Sequence, residues 1–128
     1  MILEFIAVGI GGFIGSCLRF GFTKLSNYFQ LTFPFGTLGS NVLAGIAIGF
    51  ILGLEQQSVS IPPRTRVFLT AGLLGGLSTF STFSAETIQM FQHGEYLIGS
   101  GNILLNLVLC LLGVIFGMFI AKISFGKA

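Results

Sequence analysis

Four apolar runs, each about 20 residues long, decide what this chain can fold into. They cover approximately residues 3–22, 35–54, 67–91 and 96–121. Each is long enough for the ~20 helical residues that cross a ~30 Å hydrocarbon core. None alternates apolar and polar positions in the way that marks a membrane β-barrel strand. With 8% of its residues charged, against about 25% in soluble domains, the chain cannot build a water-facing surface. The expectation is an all-α integral membrane protein. Residues 1–128 form a single domain of four transmembrane helices with short connectors, embedded in a lipid bilayer.

The charge pattern excludes other classes. Net charge is +2 and no basic cluster suggests a nucleic acid partner. Cys17 and Cys110 sit in apolar runs without metal-ligand spacing, so they read as free thiols packed like small hydrophobes. The first run lacks a basic flank, and its polar end carries Arg19 rather than a cleavage site. A cleavable signal peptide is therefore not expected.

The third run is the unusual one. Gly75 and Gly76 omit side chains inside it, and Ser78, Thr79, Ser81, Thr82 and Ser84 follow. Unpaired backbone groups are costly in hydrocarbon, and hydroxyls beside glycines re-satisfy them at a helix break. Residues 75–79 are thus expected to interrupt the helix near the bilayer centre. A break at that depth is a reason to look for an ion site. Phe80 and Phe83 then share a helical face at i,i+3. Their positive ring edges suit an anion, although packing or lipid contact is the commoner role of rings so spaced.

The other runs carry fewer polar groups. Gly11 and Gly15, or Gly12 and Ser16, give the first helix a close-approach face. Arg19, near its far end, is either a snorkelling interfacial side chain or a vestibule charge that concentrates anions. Residues 23–34 read as an interfacial loop, with Pro34 suited to start the second helix. In that helix Thr37 and Asn41 share a face, and Asn41 is either interhelical glue or an anion ligand. Gly45, Gly49 and Gly53 form a second close-packing face. Residues 55–66 form a polar connector in which Pro62 and Pro63 oppose helix, while Arg64 and Arg66 start the third helix. Glu86 reads as interfacial, near the end of its helix, and His93-Gly94-Glu95 as a turn. On the last helix Asn102, Asn106 and Cys110 make one polar stripe, continued as a packing face by Gly113 and Gly117. Lys122 and Lys127 sit at the far interface.

Three ordered stretches carry a resemblance. Gly11-Gly-Phe-Ile-Gly-Ser-Cys-Leu-Arg-Phe20, Gly36-Thr-Leu-Gly-Ser-Asn-Val-Leu-Ala-Gly45 and Gly72-Leu-Leu-Gly-Gly-Leu-Ser-Thr-Phe-Ser-Thr-Phe-Ser-Ala-Glu86 resemble motifs of the Fluc (CrcB) family of small bacterial fluoride channels. Length and helix count fit, so the resemblance spans essentially the whole chain. It implies a passive fluoride channel without catalysis, in the bacterial plasma (inner) membrane. It also implies an antiparallel homodimer of dual-topology subunits with two pores. Asn41, Phe80 and Phe83 match the family's pore lining, and Thr37, Ser81, Thr82, Asn106 and Cys110 are further candidates for the polar wall. Arg19 matches a vestibule arginine. The family's last helix commonly offers hydroxyls where Asn106 and Cys110 stand here. A structural sodium ion is implied on the dimer axis, held by carbonyls of Gly75 and Ser78, with Thr79 in reserve. Carbonyl oxygens suit a hard cation.

Two other readings stand beside this one. A small proton-coupled drug exporter needs a membrane-embedded carboxylate. Glu4, the only acid of the first run, lies at its edge, and Glu86 lies close to the end of the third. A non-transporting assembly subunit gives Asn41 and the third-helix interruption no role. Basic residues favour the side of the termini (Arg64, Arg66, Lys122, Lys127) over the side of Lys24 and Arg19, a weak bias towards termini in the cytoplasm.

Overall fold

The computed structural model describes residues 1–126, which places Lys127 outside the described residues. The four spans are helical. α1 covers Ile2–Tyr28 and α2 covers Phe35–Gln56. The third span opens with α3, Pro63–Val67, and widens into a π-helical stretch, Phe68–Leu74. It continues as the short α4, Gly75–Leu77, then α5, Phe80–Gln92. The last helix, α6, runs Tyr96–Phe125. Four of these stretches are long and apolar enough to cross a membrane, the third being Pro63–Gln92 taken as one.

Helix ends depart from the apolar runs because hydrophobicity and helix propensity stop in different places. α1 extends through Thr23–Tyr28, where a loop is expected from sequence. No glycine or proline intervenes between Thr23 and Tyr28, and the Thr23 hydroxyl donates to the Arg19 carbonyl at 3.2 Å. The connector before the third span also corrects the sequence reading. Pro63 does not oppose the helix; it occupies its first position, where a missing N–H costs nothing. Arg66 pairs with Glu55 at the end of α2, so this arginine is tied to the protein itself. The turn before α6 runs through Gly94 at φ +78°, a conformation that disfavours a side chain.

Glycine placement explains the packing. α2 lies along α6, and a Cβ at Gly49 or Gly117 would collide with the Val114 or Ile46 carbonyl. α1 lies along the third span in the same manner. A Cβ at Gly11 would sit 2.5 Å from the Phe68 carbonyl oxygen, and one at Gly76 would sit 2.6 Å from that of Gly12. Gly11 and Gly15 are buried in this contact, and Gly12 and Ser16 join it through their backbones opposite Gly76. Ala44, Ile51, Leu74 and Leu77 form the small apolar core between these helix pairs. Large apolar side chains such as Phe5, Phe13, Leu104, Leu111 and Phe116 point outward, as lipid contact requires. Cys17 is exposed on α1 rather than packed.

Between α4 and α5 only Ser78 and Thr79 take extended angles (φ −80°, ψ 152° and φ −151°, ψ 115°). Gly75 and Gly76, expected from sequence to belong to the irregular segment, remain helical. Gly76 lacks a side chain because α1 is against it, whereas a Cβ at Gly75 would meet only the Thr70 carbonyl, at 3.6 Å.

Candidate functional site

A helix end leaves its last carbonyls and the next helix's first N–H groups without partners. Around Ser78 and Thr79 side chains supply them. The Leu74 carbonyl accepts from both the Ser78 N–H (3.0 Å) and the Ser78 hydroxyl (2.9 Å). The Gly76 carbonyl accepts from Arg19 Nε at 3.0 Å, which sets a cation at the negative end of a helical segment. The Thr79 N–H donates to Asn41 Oδ1 at 2.7 Å, and Asn41 Nδ2 donates back to the Thr79 carbonyl at 3.3 Å. An extended residue turns both groups to the same side, so one primary amide pairs with it as a neighbouring strand would. Thr79 Oγ1 then caps α5 by accepting from the Thr82 N–H at 3.2 Å.

From Asn41 the polar contacts continue through the apolar interior. Asn41 Nδ2 donates to Asn106 Oδ1 (3.0 Å), and Asn106 Nδ2 donates to Asn102 Oδ1 (2.9 Å) and to the Asn102 carbonyl (3.0 Å). Asn102 Nδ2 donates to Thr87 Oγ1 (2.9 Å), whose own proton goes to the Phe83 carbonyl (2.8 Å). Asn102, Asn106 and Thr87 are all buried. A buried polar network fully supplied with partners rigidifies the elements it joins.

Asn41, Phe80, Phe83, Asn106 and Cys110 line one groove of about 460 Å³, together with Gly75, Ser78 and Thr79. The two rings sit 5.4 Å apart at 58°. Their environments differ: Phe83 is 7% exposed and Phe80 is 76% exposed.

The remaining predicted residues lie elsewhere. Thr37 is buried and donates to Glu86 Oε1 at 2.7 Å; both line a separate cavity of about 270 Å³ near the α1–α2 connection. Ser81 is exposed and Thr82 half-buried, and their hydroxyls contact Thr79 Oγ1 rather than the groove. Arg19 is occupied by the Gly76 carbonyl. Glu86 lines the Thr37 cavity together with His93 and Glu95. It faces α2, and its Oε2 is buried without a partner among the described residues. Sequence reasoning also passed over Thr87 and left Asn102 as part of a stripe. The available signal was two amides at i,i+4 in an otherwise apolar helix, which need partners beyond each other.

A helical chain of four spans, with an apolar exterior and buried amides beside one groove, is a polytopic membrane protein. The profile described as CrcB-like protein, Camphor Resistance (CrcB), matches residues 6–118. A protein named fluoride-specific ion channel FluC from Clostridium novyi (strain NT) is 46% identical over 121 residues, 94% of each chain. Its namesake from Clostridium perfringens (strain 13 / Type A) is 44% identical over 121 residues, also 94% of each chain. Another from Elusimicrobium minutum (strain Pei191) is 42% identical over 125 residues, 96% of this chain and 97% of the relative. The chain belongs to the CrcB family. Its members here are channels by name, not enzymes, and the exporter alternative draws no support from them.

Proposed function

We propose that this chain is a passive fluoride channel that lets cytoplasmic fluoride leave down its electrochemical gradient. The observation that carries the proposal is one groove lined by Asn41, Phe80, Phe83 and Asn106, in a chain whose relatives are named fluoride-specific channels. Fluoride passes the ring edges of Phe80 and Phe83 and the amide of Asn41, with Asn106 and Cys110 continuing the wall. Both Asn41 N–H groups are already engaged, by the Thr79 carbonyl and Asn106 Oδ1. An anion takes one of them only by displacing a neutral acceptor. Hydrogen bonds to an ionised acceptor are roughly twice as strong as neutral ones, and a small anion forms them best. Fluoride therefore competes for this amide better than chloride does. Thr37, Ser81 and Thr82 stay candidates for the polar wall at a remove from this groove, Thr37 beside Glu86 and the two hydroxyls beside Thr79, and Arg19 contributes positive charge at the helix-α4 end.

The functional unit of this reading is an antiparallel homodimer of dual-topology subunits in the bacterial inner membrane, with Ser78 and Thr79 near mid-membrane. The 76% exposure of Phe80 supports it, because a pore-lining ring so uncovered needs a second wall. A structural sodium ion fits the same arrangement. The Thr79 and Thr82 N–H groups, the ordinary helical donors to the Gly75 and Ser78 carbonyls, are diverted to Asn41 Oδ1 and Thr79 Oγ1. Those two carbonyls, on exposed residues, would hold the ion. The Thr79 carbonyl already accepts from Asn41 and fits less well. The ion's contribution is to fix the interface, not to carry current.

The test is fluoride release from liposomes holding the purified protein, read by a fluoride electrode, with potassium and valinomycin carrying the balancing current. Fast fluoride release with little chloride release is expected. A folded protein that releases no fluoride overturns the proposal.

A further inference from the structure

Asn102 lines neither cavity, yet it is fully buried and hydrogen-bonded on both sides. Resting on the channel reading above, we propose that Asn102, acting with Thr87, is a positioning residue that holds the Asn41 amide and the Phe83 wall in register.

The geometry carries this in three steps. First, the amide chain is anchored at both ends on one half of the third span. It starts at the Thr79 N–H, immediately before α5, and ends at Thr87 and the Phe83 carbonyl within α5. Between those anchors it passes through Asn41 on α2 and Asn106 and Asn102 on α6. It is a clamp that fastens the segment bearing Phe80 and Phe83 to both neighbouring helices.

Second, the anchors fix the direction of every amide. A backbone N–H only donates, so Asn41 must turn Oδ1 towards Thr79. Thr87 spends its proton on the Phe83 carbonyl, so it offers a lone pair and Asn102 must turn Nδ2 towards it. With both ends set, Asn106 has a single orientation that opposes no like atoms: Oδ1 to Asn41, Nδ2 to Asn102. Reversing Asn102 puts like atoms together at two contacts, and reversing Asn41 or Asn106 does so at three.

Third, the direction matters at the groove. It presents Asn41 Nδ2, the donor, towards Asn106 and the groove, and hides Oδ1 against the backbone. An anion requires that polarity. Without the Asn102 side chain, Asn106 retains only the Asn102 main-chain carbonyl as a partner on that side. Its amide is then held by one bond fewer, and a reversal, which would turn its Nδ2 against the Asn41 Nδ2 and take away that donor's acceptor, meets less opposition.

The experiment compares Asn102→Leu, Thr87→Val and Thr87→Ser with the unaltered chain in the liposome assay. Initial release rate and final extent are recorded separately, since misfolded protein lowers the extent while a mispositioned pore lowers the rate. Asn102→Leu and Thr87→Val should slow fluoride release by about tenfold or more at unchanged extent, since each leaves a buried polar group unpaired. Thr87→Ser keeps the hydroxyl and should retain the rate. The double variant Asn102→Leu/Thr87→Val should be no slower than Asn102→Leu alone, because both break one chain. Rates equal to the unaltered chain, or losses confined to the extent, overturn the positioning role while leaving the channel intact. If Asn102→Leu does not fold, the Val and Ser variants of Thr87 decide alone. An unaltered chain that releases no fluoride overturns the channel reading itself, and this inference with it.

Discussion

Asn41 Oδ1 lies 2.7 Å from the backbone nitrogen of Thr79, a residue 38 positions away, and Asn41 Nδ2 lies 3.3 Å from the carbonyl oxygen of that same residue. One side chain of α2 thus replaces helical hydrogen bonding at the place where the third span leaves the helix. Asn41 therefore has two tasks, since its Nδ2 also faces Asn106 and the groove. Substitutions here should affect stability and conduction together.

Asn41→Asp separates the two atoms chemically. It keeps an acceptor for the Thr79 N–H but replaces the donor by a charged oxygen facing the Thr79 carbonyl and Asn106 Oδ1. Leaving such groups unpaired costs about 1–3 kcal/mol, more with charge, so fluoride release should fall about tenfold or further. Liposome efflux reads the first effect, and thermal unfolding in detergent the second. Unchanged values in both would contradict the pairing.

Arg19→Lys tests what the arginine does. The change preserves the positive charge but replaces the planar donor that reaches the Gly76 carbonyl at 3.0 Å. If charge alone mattered, efflux and stability would both survive. The expected outcome is a loss of about 1.5–3 kcal/mol in unfolding free energy, the range for a hydrogen bond to a charged group. Arg19→Gln should lose at least as much.

Phe80 and Phe83 should separate in their variants. Phe83 is 7% exposed, and Phe83→Ile should lower both melting temperature and efflux. Phe80 is 76% exposed within the subunit, so Phe80→Ile should leave subunit stability within about 0.5 kcal/mol. Its efflux should still fall, because the ring edge is gone. Equal stability losses in the two variants would contradict this difference in burial.

Gly49→Ala and Gly117→Ala each drive a methyl group into a backbone carbonyl of the facing helix. Neither α2 nor α6 yields cheaply, and overpacking of this kind costs about 1–3 kcal/mol. Gly21→Ala, where a Cβ meets nothing within 4 Å, is the matched control and should be near neutral. Melting curves of the three variants in detergent measure the contrast.

Much of the architecture was legible because it rests on local chemistry. Apolar runs of membrane length and turn residues such as Gly94 place four helical spans with errors of a few residues, since helix propensity outlasts hydrophobicity at Tyr28 and Pro63 initiates rather than prevents a helix. Site residues were legible as types. The sequence marks Asn41, Phe80, Phe83, Asn106 and Cys110 as out of the ordinary, and the fold gathers all five into one groove. It offers no means of separating Thr37, which turns to Glu86 instead. The pairing of Glu86 was not legible, because an acid near a helix end gives no sign of its neighbour on α2.

The sequence by itself determined the solvent this protein needs, the number of its spans, its family, and which side chains must find polar partners. Those follow from composition and spacing, properties each stretch of chain carries alone. Only the tertiary structure decided which partners they find: Arg19 with Gly76, Asn41 with Thr79, and Asn102 with both Asn106 and Thr87. An unpaired amide in an apolar interior has no preference among donors and acceptors of equal strength. Glycine contacts such as those of Gly11 and Gly76 set how closely the helices approach, and that distance decides which partner comes within reach.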